Sequence, residues 1–150
     1  MYSISEILNK AHERGQEMRL PYAGALLPAE AHELMQNAAG AKLIDVRTRA
    51  EWDFVGRVPA SIPIEWQTYP SSQSNPAFLD ELSAQAEKDA IVMFLCRSGA
   101  RSHAAAAAAS QIGYAHSYNV LQGFEGDRDA HGHRASVGGW QYAGLPWVQS

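Results

Sequence analysis

The sequence predicts an α/β domain with a mainly parallel sheet covered by helices on both faces. Short apolar runs alternate with helical segments along the whole chain, the order expected when each strand is followed by a crossover helix. The run Ala90-Ile91-Val92-Met93-Phe94-Leu95 is apolar at every position, as a strand covered on both faces must be. Ser102 to Ile112 follows it and contains six successive alanines, Ala104 to Ala109. Alanine is the best helix former, and its small side chain lets a helix lie close against a sheet.

Each element has a local reason. Ile4, Ile7, Leu8, Ala11 and Met18 recur at near-helical spacing behind a Ser3/Glu6 capping box, which predicts an amphipathic helix over 4–19. Pro21 to Ala25 breaks it. Pro28 suits the first turn of a second helix, 28–38, which Gly40 stops. Lys42 to Val46 reads as a buried strand. Thr48 and Glu51 form another capping box, opening a short helix that runs through Phe54 and ends at Gly56. Ile62 and Ile64 alternate with polar or proline positions, which predicts a short strand. Residues 65–75 read as a polar loop, and Asn75-Pro76 starts a helix of about ten residues. Gly113 caps the alanine-rich helix, Ser117 to Leu121 is a last strand, and the chain beyond Gly123 is rich in glycine and polar residues.

Composition narrows the function. The chain has 150 residues, enough for one compact domain, and 46% of them are apolar. The formal charge is −4 with no Lys/Arg run, which argues against nucleic acid as a partner. No stretch is long and apolar enough for a signal peptide or a membrane span, so no membrane partner is expected. A single cysteine cannot form an internal disulfide; the expected setting is a reducing cytoplasm. A lone cysteine is ordinarily a small buried hydrophobe. Its neighbours argue otherwise here.

Cys96 lies where an apolar strand ends, in the loop Cys96-Arg97-Ser98-Gly99-Ala100-Arg101 that leads into a helix. Ligands of open α/β sheets bind beyond the carboxyl ends of the strands. A helix start also offers unpaired N–H groups and the positive end of the helix dipole. With Arg97 and Arg101 alongside, these favour an anion at Cys96, and Gly99 lets the backbone curl into a cradle. That is what sulfane-sulfur transfer needs. A thiolate takes the outer sulfur of an anionic donor, and the resulting persulfide anion rests on N–H donors. Cysteine-dependent phosphatases use Cys-x5-Arg, a longer ring for a tetrahedral phosphate. Arg101 gives Cys-x4-Arg, which disfavours phosphate or arsenate chemistry. No dinucleotide fingerprint, Walker loop, nucleophile elbow or Cys-x-x-Cys is present, and no nucleotide or metal cofactor is expected.

The motifs, in order, resemble a single-domain rhodanese. Leu43-Ile44-Asp45-Val46-Arg47-Thr48-Arg49-Ala50-Glu51-Trp52 resembles that family's Asp-x-Arg signature with its acidic-aromatic pair. Gly56-Arg57-Val58-Pro59-Ala60-Ser61 resembles its Gly-His-Ile-Pro-Gly-Ala turn, with Arg57 for histidine and Ala60 for glycine. Cys96 to Arg101 matches its six-residue active loop, and Gly138 to Pro146 resembles its closing signature. The resemblance implies a five-stranded parallel sheet and a catalytic Cys96 carrying persulfide. It also implies binding by the loop residues Arg97, Ser98, Gly99, Ala100 and Arg101. On this comparison residues 1–23 are a helical extension and 24–150 the rhodanese-like domain. The expected activity is transfer of sulfur from thiosulfate or a persulfide to a thiol, cyanide or a sulfur-carrier protein. The alternative is a silent module that binds an anion or a partner without turnover.

Other residues carry more than one reading. Asp45 and Arg47 are either structural support, an ion pair tying the strand to Glu51 or a loop, or substrate contacts. Glu125 to Val137 interrupts the family pattern, and it holds His131 and His133. It reads as a solvated loop, a flap over the active loop, or half of a metal site that lacks a third ligand. His103 reads as a surface helix position or a charge neighbour of Cys96, and Trp52, Trp66, Trp140 and Trp147 as core rather than ligand-stacking residues.

Overall fold

The computed structural model describes residues 2–149. Its centre is a five-stranded parallel sheet whose strands, from edge to edge, are Gly24–Leu26, Ser117–Val120, Val92–Leu95, Lys42–Asp45 and Ile62–Pro63. Chain order runs α1 (Ile4–Glu17), β1 (Gly24–Leu26), α2 (Pro28–Asn37), β2 (Lys42–Asp45), α3 (Arg49–Phe54) and β3 (Ile62–Pro63). A two-stranded hairpin, β4 (Gln67–Thr68) and β5 (Gln73–Ser74), precedes α4 (Phe78–Gln85), β6 (Val92–Leu95), α5 (Ala100–Gln111) and β7 (Ser117–Val120).

The expected elements are present, with two additions. The predicted strands supply four of the five; the fifth, β1, falls where the sequence reading placed only a break. Three residues are too few to show a period, and β1 exists because the sheet edge and α1 trap it. Gly24 permits this: a Cβ there would stand 2.3 Å from the Ala11 carbonyl oxygen. The second addition is the β4–β5 hairpin inside the 65–75 loop.

Strand alternation divides the core. Along β6, Val92 and Phe94 point with Cys96 into a layer shared with Phe78, Leu82, Ala105, Ala106 and Ala109. Met93 and Leu95 point the other way, toward Ile7, Ala11, Ala31, Leu34 and Trp140. Helices α4 and α5 cover the first face, α1 and α2 the second. This is why β6 is apolar throughout: a period of two across a sheet buried on both sides leaves no position facing solvent. The alanines of α5 pack with no exposure at 105, 106 and 109, so this helix sits close against the sheet.

Both capping boxes form. Ser3 Oγ accepts from the Glu6 N–H, and Thr48 Oγ1 accepts from the Glu51 N–H, with each glutamate returning to the cap N–H. Arg14 bridges α1 to the first turn of α2 through Glu30, at 2.6 and 2.9 Å, and also donates to the Ala25 carbonyl. The tail returns to the α3 exit, where Arg57 and Val148 exchange two backbone bonds of 2.9 Å.

Candidate functional site

Register places the cysteine. Strand β6 runs beside β2 with Asp45 opposite Leu95, and Val46 N–H donates to the Leu95 carbonyl. The next residue, Cys96, therefore leaves the sheet at its carboxyl edge, between β2 and β7. The loop then turns through Gly99 at φ 117°, a conformation that side chains with a Cβ rarely adopt. Helix α5 begins at Ala100, two residues before its expected start, so Arg101 and Ser102 belong to its first turn.

Cys96 Sγ accepts the Gly99 N–H at 3.1 Å and lies 3.2 Å from Ser102 Oγ. Among the described residues, the N–H groups of Arg97, Ser98, Ala100, Arg101 and Ser102 have no acceptor in the protein. These are the orphan donors of a helix start and the loop before it. The thiol itself is only 1% exposed, but it lies at the wall of a cavity of about 670 Å³. Arg97, Ser98, Ala100 and Arg101 line that cavity too. So do Thr48 and Glu51 at the start of α3, Phe54 and Val55 at its end, and Gln67, Thr68, Tyr69 and Ser72 of the hairpin.

The two arginines separate. Arg97 is exposed and, among the described residues, has no carboxylate within 4.0 Å. Arg101 is held by Glu51 through two parallel bonds of 2.7 and 2.9 Å. Burial pushes the Glu51 carboxyl up, but Arg101, the Thr48 N–H and the charge of Arg47 together hold it below the usual carboxylate value. Burial pulls the Arg101 guanidinium down, and Glu51 more than offsets this, with Cys96 and Asp45 adding to the rise. The charge of Arg101 is thus largely compensated by α3.

Asp45 and Arg47 pair deep beneath the loop. Arg47 is fully buried, donates to Asp45 Oδ2 at 2.7 Å and to the Gly56 carbonyl at 2.7 Å, and stacks 4.2 Å over the Phe124 ring. The tie is to the loop after α3, not to Glu51, whose partner is Arg101. Neither Asp45 nor Arg47 lines the cavity.

Two buried polar side chains behind the sulfur were not singled out from the sequence. Ser102 Oγ donates to Asn119 Oδ1 at 2.6 Å, and Asn119 Nδ2 donates to the Gly99 carbonyl at 3.2 Å. The Tyr22 hydroxyl, on the same side, shares a 2.6 Å bond with His103 Nδ1. Burial drives the Tyr22 hydroxyl up to about 12, with the nearby Asn119 side chain opposing the rise. The available signal was a polar residue alternating inward within the strand Ser117 to Val120. His103 is an exposed helix position, as expected.

The interrupting segment is tied to the active loop. Phe124 N–H donates to the Cys96 carbonyl at 2.8 Å, and the Glu125 and Gly126 N–H groups both reach the Arg97 carbonyl. Asp129 organises the turn beyond: its carboxylate accepts from the His131 and His133 N–H groups and from Ser136 Oγ. These bonds hold its ionisation below the usual range. His131 and His133 are exposed, while Glu125 and Arg134 line the cavity beside Cys96. Of the tryptophans, Trp52 and Trp140 are buried and Trp66 packs against the core, but Trp147 is 36% exposed. It covers Gly56 and the edge of Phe124 instead of entering the core.

A family model described as a rhodanese-like domain matches residues 27–130. The chain belongs to this family. A Rickettsia rickettsii protein, an uncharacterized homolog of RP600, is 39% identical over 120 residues, covering 79% of this chain and 91% of its own. The crystal structure of Rv0390 from M. tuberculosis superposes with a TM-score of 0.79 at 43% identity, covering 86% of this chain and 99% of that one. A polysulfide-sulfur transferase homodimer from Wolinella succinogenes shares the fold, with a TM-score of 0.58 at 18% identity over 99% of this chain and 95% of its own. The rhodanese-like match starts after β1 and stops inside the 125–137 segment, so α1, β1 and the closing signature lie outside it. No helix among the described residues is long and apolar enough to cross a membrane.

Proposed function

We propose that the chain is a sulfurtransferase that carries sulfane sulfur on Cys96. The observation that carries this reading is the sulfur's position. Sγ sits at the carboxyl edge of the sheet, on the Gly99 N–H at 3.1 Å, in a loop whose other N–H groups have no protein acceptors among the described residues. Membership of the rhodanese-like family supports it. The Cys96 thiolate attacks the outer sulfur of thiosulfate, S–S bond formation to Cys96 accompanies cleavage of the donor's S–S bond, and sulfite departs with the electron pair. Charge is conserved: the persulfide keeps one negative charge and sulfite keeps two. An organic persulfide reacts in the same way and releases its thiol. A thiol, cyanide or a sulfur-carrier protein then takes the outer sulfur and restores the thiolate. Preorganised N–H donors stabilise the anion at each stage without a separate base.

Intact-mass measurement tests this. Wild-type protein treated with thiosulfate or glutathione persulfide is expected to gain the mass of one sulfur, and dithiothreitol to remove it. Cys96→Ser is expected to gain none. Wild-type protein that binds thiosulfate without taking its sulfur would support the silent binding module instead.

A further inference from the structure

We propose that Arg134 is a specificity-determining residue that reads a carboxylate on the carbon skeleton of an organic persulfide donor. The inference rests on the sulfurtransferase reading and deepens it. Three observations carry it. The cavity beside Cys96 measures about 670 Å³, within the ~300–1,000 Å³ of pockets that hold drug-sized organic molecules; thiosulfate would fill a small part of it. Its wall has an apolar side that a bare inorganic anion has no use for, with Phe54 83% and Tyr69 70% exposed. Finally, one of the loop's two cations is already spent, because Arg101 is matched by both oxygens of Glu51.

The remaining cations at the cavity are Arg97 and Arg134, neither with a carboxylate within 4.0 Å among the described residues. Arg97 is exposed, whereas Arg134 is half-buried and fixed by its Nη1 bond of 2.7 Å to the Gly126 carbonyl. That bond uses one donor of five and leaves the planar fork for a carboxylate, the geometry arginine matches best. Gly126 in turn donates to the Arg97 carbonyl, so the guanidinium is referenced directly to the active loop. Glu125, on the same wall, repels a second carboxylate and narrows the choice of donor. In the reaction itself, the Cys96 thiolate bonds to the outer sulfur of R–S–SH, the R–S bond to that sulfur breaks, and R–S⁻ leaves, taking up the persulfide proton as R–SH.

The test compares two donors that differ in one charge: N-acetylcysteine persulfide and its methyl ester. Cys96 loading is followed by intact mass under single-turnover conditions. Wild type is expected to prefer the acid by about 10- to 100-fold, the worth of a charge-assisted hydrogen-bonded pair. Arg134→Gln is expected to bring the acid/ester ratio near one, and Arg134→Lys to restore part of it. Arg128→Gln, exposed on the same segment and outside the cavity, is expected to keep the wild-type ratio. A purely structural Arg134 would slow both donors equally and leave the ratio intact, which overturns the proposal. So does a wild type that loads both donors at one rate, although the sulfurtransferase reading then stands. If neither donor nor thiosulfate loads Cys96, both fall together.

Discussion

Arg101 meets Glu51 with both ends of its guanidinium, 2.7 Å from Nη1 to Oε1 and 2.9 Å from Nη2 to Oε2, across 50 residues of sequence. The pair joins the first turn of α5 to the first turn of α3, and so fixes the active loop against the wall of the cavity. Glu51 serves at once as the cap of α3 and as the counter-charge of the loop arginine.

This geometry changes what an arginine substitution should do. Arg101→Ala is expected to leave Glu51 half-buried without its partner and to cost about 1–3 kcal/mol of stability. Its loss of sulfur loading should be of similar size for charged and uncharged donors, since the charge is already compensated. Arg97→Ala should act selectively on anionic donors. Loading kinetics of both variants with thiosulfate and a neutral persulfide separate the two roles; a loss specific to anionic donors in Arg101→Ala would place that residue at the substrate instead.

The same pair fixes a pH dependence. The folded-state ionisation of Glu51 lies below its ordinary value of 4.5. A depressed carboxylate contributes stability above its unfolded value, and that contribution is lost as pH falls through the folded value. Urea unfolding of wild type and Glu51→Gln is therefore expected to show a constant gap near neutral pH. The gap should close as pH drops below about 4.5. A gap that persists in strong acid would mean that the side chain's packing, not its charge, is responsible.

Ser102 links the sulfur to the buried amide of Asn119. Ser102→Ala removes the hydroxyl beside Sγ and leaves Asn119 Oδ1 buried without that donor. We expect a loss of about 1–3 kcal/mol in unfolding free energy. Because the hydroxyl's one hydrogen already goes to Asn119 Oδ1, loading of Cys96 should slow by no more than about 10-fold, less than the loss of a preorganised donor to the anion would cost. Denaturant titration and single-turnover mass measurement read the two effects separately. Unchanged loading in a destabilised variant would confine Ser102 to the fold.

Removing 127–136 should be structurally mild. A Cβ on Gly126 would lie 2.0 Å from the Gly138 carbonyl oxygen, so the two ends of the segment already touch. Its internal bonds centre on Asp129 and make no core. The deletion takes away Arg134, and the expected result is a Tm within a few degrees of the parent, about 1 kcal/mol or less. The preference for carboxylate-bearing donors should vanish with it. A much lower Tm would show that the segment braces the active loop through its bonds to Glu125 and Gly126.

How far the sequence reached depends on the range of the interaction concerned. Ser3/Glu6 and Thr48/Glu51 were legible as caps because each box closes within three residues. The loop from Cys96 to Arg101 was legible because strand, glycine and helix start are contiguous. The pairing of Arg101 with Glu51 was not legible, since no local pattern joins position 101 to position 51. Ser102 and Asn119 look ordinary in the sequence; they become a pair only when β7 lies beside β6.

By itself, then, the sequence determined the alternation of strands and helices, the doubly buried β6, the start of α3 and the placement of Cys96 at a strand-to-helix turn. Period, capping and backbone freedom decide these, and all act over a few residues. Tertiary structure alone decided that Gly24 to Leu26 is a strand, that Asp45–Arg47 ties to Gly56, and that Arg101 belongs to Glu51. It also decided that Arg134 reaches the cavity while His131 and His133 face solvent. Each of these joins residues distant in sequence or selects one face of a loop. The order and register of the sheet set which of them meet, and no short stretch of the chain encodes that geometry.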